Sequence, residues 1–436
     1  MKLPAYPKYK PSGVEWLGDV PEKWEVKRLK YVAGLSDVKI EANPEMPVPY
    51  IGLEHLESWT GKLLPLDLEL VPSGIANQFK KGSVLFGKLR PYLAKACTPD
   101  FTGLCSTELL VLEAAKQDNR FLRYSLLTPG FISLVDSASY GVKMPRASWD
   151  FVGVCNLPLP PLPEQQAIAD FLDRETARLD TLVSKKQELI ERLEEKRIAL
   201  ISRTVTHGLN PKVKFKSSGI AWLGNVPAHW KVVALKHLVS TPIIDGPHES
   251  PAHCDEGIPF VSAESVSKEF IDFEKIWGYI SPADHARYSR RFVPKRGDIL
   301  MVKLGATTGV SAIVETDIEF NIWVPLAAIR LKPEIKPRFI LHVLRSDNLQ
   351  RAYQNTWTYG TQQTLGLQTI SNLRVPFPPD TEQIAITEFL DRETMKLETL
   401  VAKIKTAVER LQEYRTALIT AAVTGKIDAR KESHGK

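Results

Sequence analysis

The stretch EQQAIADFLDRET, residues 164–176, returns as EQIAITEFLDRET at residues 382–394, with ten of the thirteen positions identical. Each copy opens a long run in which apolar residues recur at alternating spacings of three and four. In the first run these are Ile168, Leu172, Leu179, Leu182, Leu189, Leu193 and Leu200. In the second they are Ile386, Leu390, Leu397, Leu400, Ile404, Leu411 and Leu418. A repeat of 3.5 residues held over five heptads predicts a coiled-coil seam rather than a single amphipathic face.

The ends of both runs agree with helices. Pro163 precedes Glu164, Thr381 offers an N-cap to the second copy, and both glutamates favour the positive end of the helix dipole. Gly208, followed by Pro211, and Gly425 supply stops. Each helix is predicted at roughly 42 residues, or about 63 Å at 1.5 Å per residue. Both seams need a partner, and each is the other's nearest candidate.

A second repeat lies upstream of the first. SGVEWLGDVPEKWEV from Ser12 is matched by SGIAWLGNVPAHWKV from Ser218 at nine of fifteen positions. The chain therefore reads as head, helix, head, helix: residues 1–157, 158–211, 212–374 and 375–436. Within the heads, short apolar runs such as GSVLFGKL and GDILMVKL alternate with helical stretches such as FLRYSLLT and FILHVLRS. This predicts mixed α/β domains. Lys80-Lys81-Gly82 aligns with Lys295-Arg296-Gly297, and Lys88-Leu89 with Lys303-Leu304, while the sequence between these anchors diverges.

Geometry follows from the duplication. If the helices pair antiparallel, a head stands at each end of the two-helix coiled coil, related by a pseudo-two-fold axis. Chain ends then return to the first head, with Gly425 near Ser12 as Gly208 is near Ser218. This is an α+β architecture equivalent to a covalently joined symmetric dimer.

Composition narrows the function. An apolar fraction of 43% and a charged fraction of 25% are ordinary for a soluble protein. No apolar run reaches the roughly 20 residues of a membrane span, and MKLPAYPKYK lacks a signal-peptide core, which predicts a cytoplasmic protein. Cys97, Cys105, Cys155 and Cys254 have no metal-finger spacing, so incidental thiols are expected. The net charge of +6 lies in the heads: 19 basic against 17 acidic residues in 1–157, and 20 against 15 in 212–374, while the helical segments are near balance. Such a distribution permits nucleic-acid binding by the heads.

Signatures of catalysis are not found. The sequence has no GxGxxG, GxxxxGK[ST] or GxSxG and no [ND]PP[YF] tetrapeptide. His248-Glu249-Ser250-Pro251-Ala252-His253 is one residue too long for HExxH, and Pro251 would break the helix that such a metal site needs. The proline-rich stretches before the helices, LPLPPLP and VPFPP, are placed alike and are read as rigid entries rather than peptide ligands. Trp16 with Trp222 and Trp24 with Trp230 recur with the head signature and are assigned to folding.

Taken together, PLPPLPEQQAIADFLD, VPFPPDTEQIAITEFLD, the SG-x-x-WLG-x-VP-x-x-W openings, KLRPYLAK, YGVKMPRAS and FNIWVPLAAIR closely resemble the specificity subunit of type I restriction-modification systems. The resemblance covers nearly the whole chain. It implies that the heads are target recognition domains for double-stranded DNA and that the chain is non-catalytic. It also implies that the helices set the distance between half-sites and dock two methyltransferase subunits, through which motor-nuclease subunits join. S-adenosylmethionine, ATP and Mg are then expected on those partners, with no cofactor and no metal on this chain.

On that reading, Lys80, Lys81, Lys88 and Arg90 in the first head, and Arg290, Arg291, Lys295, Arg296 and Lys303 in the second, are candidate DNA contacts because basic stretches recur at aligned positions. Lys143 and Arg146 in YGVKMPR, and Gln362 and Gln363 in YGTQQT, are candidates to face the bases, since arginine reads guanine and glutamine reads adenine. A competing reading is a coiled-coil scaffold whose heads bind other proteins. Salt-dependent, sequence-dependent DNA binding separates the two.

Overall fold

The computed structural model describes residues 4–42, 48–66, 74–114, 116–141, 143–267, 270–354, 358–359 and 363–432. Their contacts divide the chain into two compact units, Met1–Gln187 with Lys405–Lys436, and Glu188–Ile404. The two long helices run over Leu162–His207 and Asp380–Val423, 46 and 44 residues. Each unit therefore holds one head, the head-proximal part of one helix and the distal part of the other. In each unit the two helix segments run antiparallel. Asp180 meets Arg415 while Glu164, further back, lies near Arg430; in the other unit Arg197 meets Glu398.

The heads are built on the same plan. In the first, Gly34–Leu35, Leu109–Glu113, Val84–Gly87 and Ala96–Cys97 form an antiparallel sheet in that order. In the second, Ile244–Asp245, Leu326–Ile329, Ile299–Val302 and Ser311–Ile313 take the corresponding places. The central strands Val84–Gly87 and Ile299–Val302 are buried along their whole length, which is why their sequences are unbroken apolar runs. Each head also carries a parallel strand pair, Tyr50–Ile51 with Leu104–Cys105 and Phe260–Val261 with Asn321–Ile322. The heads part company around this second sheet. The first adds Gly74–Phe79 and Lys39–Ala42; the second adds Gly278–Ile280 and the helix Pro282–Ser289.

A helix covers the sheet in each head: Asn119–Leu126, whose first turn is capped by the Asp118 carboxylate, and Pro337–Leu344. Phe86, Leu112, Leu126 and Phe131 meet in the first core, and Met301, Ile329, Phe339 and Leu344 in the second. Among the described residues no helix is long and apolar enough to cross a membrane.

Candidate nucleic-acid interface

The duplicated EQ pair fixes each head to its helix. Glu164 is buried and accepts from Trp24 Nε1 at 3.0 Å and from the Tyr6 hydroxyl at 2.6 Å. Glu382 accepts from Trp230 Nε1 at 2.9 Å and pairs with His229 at 2.6 Å. The tryptophan of each head signature thus meets the first acid of the following helix. Both indoles are fully buried.

The glutamines act on the helix that covers the sheet. Gln165 Oε1 accepts from the Asp118 amide at 3.0 Å while its Nε2 donates to the Pro160 carbonyl at 2.8 Å. Gln383 makes the same two bonds, to Lys336 N at 3.4 Å and Pro378 O at 3.0 Å. About two turns further on, Asp173 takes Arg120 and the Tyr124 hydroxyl, as Asp391 takes Arg338 and His342. The repeated LDRET stretch and its EQ opening are a junction written twice.

Between the helices a stripe of buried and half-buried residues passes through Ile168, Leu172, Leu179, Val183, Lys186, Ile190, Leu193, Arg197 and Ile201. Its counterpart runs through Ile386, Leu390, Leu397, Val401, Ile404, Val408, Leu411, Arg415 and Leu418. Most predicted seam positions lie on these stripes, but Leu182, Leu189 and Leu400 stand 39%, 44% and 44% exposed. Leu200 is half-buried against the core of its unit. At Leu182, Leu189 and Leu400 the stripe passes through the next residue instead, Val183, Ile190 and Val401, and elsewhere it admits Arg197 and Arg415. Arg197 meets Glu398 at 2.6 Å; Arg415 meets Asp180 at 3.1 Å and also donates to the carbonyls of Trp59 and Thr60.

The candidate DNA cations fall into two groups. Several are already held by carboxylates: Lys80 by Glu113 at 3.3 Å, Arg146 by Glu108 at 3.1 Å, Arg291 by Asp245 at 2.9 Å and Arg296 by Asp317 at 2.8 Å. Lys303 is the extreme case, buried and 3.1 Å from Asp245. Burial works to raise the Asp245 carboxyl, but Lys303 and His248 outweigh it and hold the group below the usual aspartate range. The same His248 sits 3.0 Å from Asp245, and His253 packs on Trp277 instead of turning toward it.

In the second group, Lys81, Arg90, Lys143, Arg290 and Lys295 are exposed and Lys88 is half-buried, with no carboxylate partner among the described residues. Lys88 and Arg90 share one loop, and the Arg90 amide donates to the Pro145 carbonyl at 2.7 Å, bringing that loop against a residue two positions after Lys143. Arg290 caps Pro282–Ser289, and Lys295 lies in the turn before Ile299–Val302. Gln362 lies outside the described residues; Gln363 belongs to a short strand, Gln363–Thr364, paired with Thr358–Tyr359. Cys97 and Cys105 are buried, and burial pushes both thiols up to about 12, so they stay protonated.

A family model of the type I restriction modification DNA specificity domain matches residues 21–192 and 227–410. The chain belongs to this family. It is similar to the specificity subunit of type I restriction enzyme MjaVIII from Methanocaldococcus jannaschii, 24% identical over 435 residues and covering 94% of each chain. It is also similar to the EcoBI specificity subunit of Escherichia coli, 26% identical over 323 residues, 72% of this chain and 67% of that one. Among solved structures, a chain from work on complex assembly and conformational transition of the type I R-M system matches with a TM-score of 0.72 at 20% identity, covering 93% of this chain and 98% of the other. The HsdS subunit from Thermoanaerobacter tengcongensis matches with a TM-score of 0.52 at 21% identity, covering 94% and 98%. These two likenesses show the fold.

A specificity subunit is a non-catalytic part of its system and recognises DNA sequence with two domains. The heads supply two such domains. Several residues that shape them carried no signal in the sequence taken alone. Asp245 and Asp298 are buried acids that hold Lys303 and Arg330, from partners 58 and 32 residues away. Arg415 and Asp180 could have been found, because Arg197 and Glu398 stand at the same places in the repeat.

Proposed function

We propose that this specificity subunit reads an asymmetric, two-part DNA site, one half with each head, and that its helices set the distance between the halves. The observation that carries this reading is that both heads keep one sheet and one junction while differing around the second sheet. Lys39–Ala42 and Gly74–Phe79 extend the parallel pair on its Leu104–Cys105 side in one head, whereas in the other Gly278–Ile280, followed by the helix Pro282–Ser289, extends it on its Phe260–Val261 side. Two unlike readers on one scaffold suit two unlike half-sites.

Lys81, Arg90, Lys143, Arg290 and Lys295, exposed and with no carboxylate partner among the described residues, are the residues best suited to DNA, because a cation already neutralised by a neighbouring acid has less to offer a phosphate. The functional division of the chain follows the repeat, with recognition domains at 1–157 and 212–374 and spacer helices at 158–211 and 375–436. Double-stranded DNA and two methyltransferase subunits are the direct partners, and motor-nuclease subunits join through the latter. S-adenosylmethionine, ATP and Mg belong to those partners, and the complex works in the cytoplasm.

The test is the pattern of adenine methylation in the host genome with and without this chain. Loss of methylation at one asymmetric two-part motif supports the reading and supplies the target. If every methylated motif persists after deletion, while the methyltransferase subunits are present and active, the reading fails.

A further inference from the structure

The loop that leaves the central strand of each head is held by the same backbone bonds. In the first head Gly87 N donates to Lys95 O, Lys88 O accepts from Ala147 N, and Leu89 bridges to Arg146. In the second, Val302 N donates to Val310 O, Lys303 O accepts from Leu365 N, and Leu304 bridges to Thr364. These bonds align Arg90 with Gly305 and Ala94 with Gly309. All four positions have positive φ: 108° at Gly305 and 94° at Gly309, against 51° at Arg90 and 47° at Ala94. The loop demands a left-handed backbone at two places, and the second head meets the demand with glycine, the residue that adopts it without strain.

The first head puts side chains there, against a steric cost that arginine and alanine both carry. Among the described residues only one other non-glycine has positive φ, Trp59, and its amide donates to the Ala94 carbonyl, so all three belong to this one region. Ala94 has a reason for its side chain: it is fully buried and its methyl packs in the head's core beside Ala96 and Phe131. Arg90 has no such reason. Its side chain is exposed and has no carboxylate partner among the described residues. Its amide bond to Pro145 O is a backbone bond that glycine would make equally well. Among the described residues no hydrogen bond or ion pair uses the guanidinium.

We infer that Arg90 is a specificity-determining residue of the first head, and that it reads a guanine in that head's half-site through the paired acceptors O6 and N7. The inference rests on the function proposed above. A fixed loop bearing a planar five-donor group suits this contact, for which a lysine ammonium is a poor substitute. Backbone strain held at an exposed polar residue belongs at recognition sites, where the side chain acts on something outside the fold. The second head, with Gly305 at the same place, has no equivalent contact and reads its half-site with other residues.

The test compares genome-wide methylation by the complete complex carrying the wild-type chain, Arg90→Gly, Arg90→Lys or Ala94→Gly, together with the Tm of each purified chain. Arg90→Gly fits the loop at least as well as arginine, so its Tm should not fall. Its methylated motif should become degenerate at one guanine in one half-site, with roughly 10- to 100-fold less discrimination there, while the other half stays as in wild type. Ala94→Gly should keep the full motif. An unchanged motif in Arg90→Gly overturns the inference. So does loss of methylation in Arg90→Gly that Arg90→Lys restores with the wild-type motif, since charge on a phosphate is then the whole role. A wild-type complex that methylates no two-part motif refutes the underlying function instead.

Discussion

Arg415 donates to Asp180 at 3.1 Å across the two long helices, and Arg197 meets Glu398 in the same way, each residue 218 positions from its counterpart. The two pairs differ in their surroundings. Arg415 is 8% exposed and also satisfies the Trp59 and Thr60 carbonyls, whereas Arg197 and Glu398 are 26% and 40% exposed. Removing Arg415 leaves Asp180 to Lys62 alone, at 2.8 Å, and strands the Trp59 and Thr60 carbonyls, a loss of about 1–3 kcal/mol for each carbonyl. Arg197→Ala should cost only about 1 kcal/mol, as a partly solvated pair. Urea unfolding of the two variants should show this asymmetry. Equal costs would mean that the carbonyl contacts to Trp59 and Thr60 contribute nothing.

Glu164→Ala should destabilise the first unit by about 1–3 kcal/mol for each buried donor it strands, namely Trp24 Nε1 and the Tyr6 hydroxyl. Glu164→Gln, which keeps an acceptor, should recover most of the loss. Tryptophan fluorescence during unfolding reads this directly, and a Glu164→Ala chain as stable as wild type would sink the junction argument.

Acid should weaken the second unit through Asp245. Its carboxyl titrates below the ordinary aspartate range, so the unfolded chain takes up the proton first as pH falls. The stability it contributes is full above the unfolded value near ~3.9 and is lost as pH drops through the lower folded one. Asp245→Asn should remove that part of the acid limb and also cost about 3–5 kcal/mol at neutral pH, because Lys303 stays buried without its acid. Stability curves from pH 2 to 7 for both chains check the sign.

Salt dependence should separate the two groups of cations. Lys81→Ala should lower the slope of log binding constant against log salt by about 0.9 on duplex DNA of any sequence. Lys303→Ala should leave that slope unchanged and lower stability instead. Fluorescence anisotropy at several salt concentrations measures both, and a reduced slope for Lys303→Ala would show that its pairing with Asp245 opens on DNA.

Much of the molecule could be read before its structure because it is written twice. The EQ pairs, the paired tryptophans and the helix stops were all visible as repeats. The seam was harder, because Leu182 and Val183, or Leu189 and Ile190, are neighbours that fit the same alternation of three and four. In each pair both residues are apolar, and only packing against the other helix decides which one is covered. The cations were ambiguous for a related reason. Lys303 resembles Lys88 in sequence, yet Asp245, 58 residues earlier, takes it out of solvent. A buried acid with a distant partner leaves no local pattern.

The first unit is assembled from two separate pieces of chain, whereas the second is continuous from Glu188 to Ile404. Lys426 donates to the carbonyls of Leu17 and Asp19, and the Asp428 amide to the carbonyl of Pro4. During synthesis, then, the later head can finish folding while the earlier one waits, since residues 405–436 leave the ribosome after 188–404. The usual order, in which the part made first folds first, is reversed. A chain released before Lys405 would carry the whole second unit and a first head still missing its closing helix.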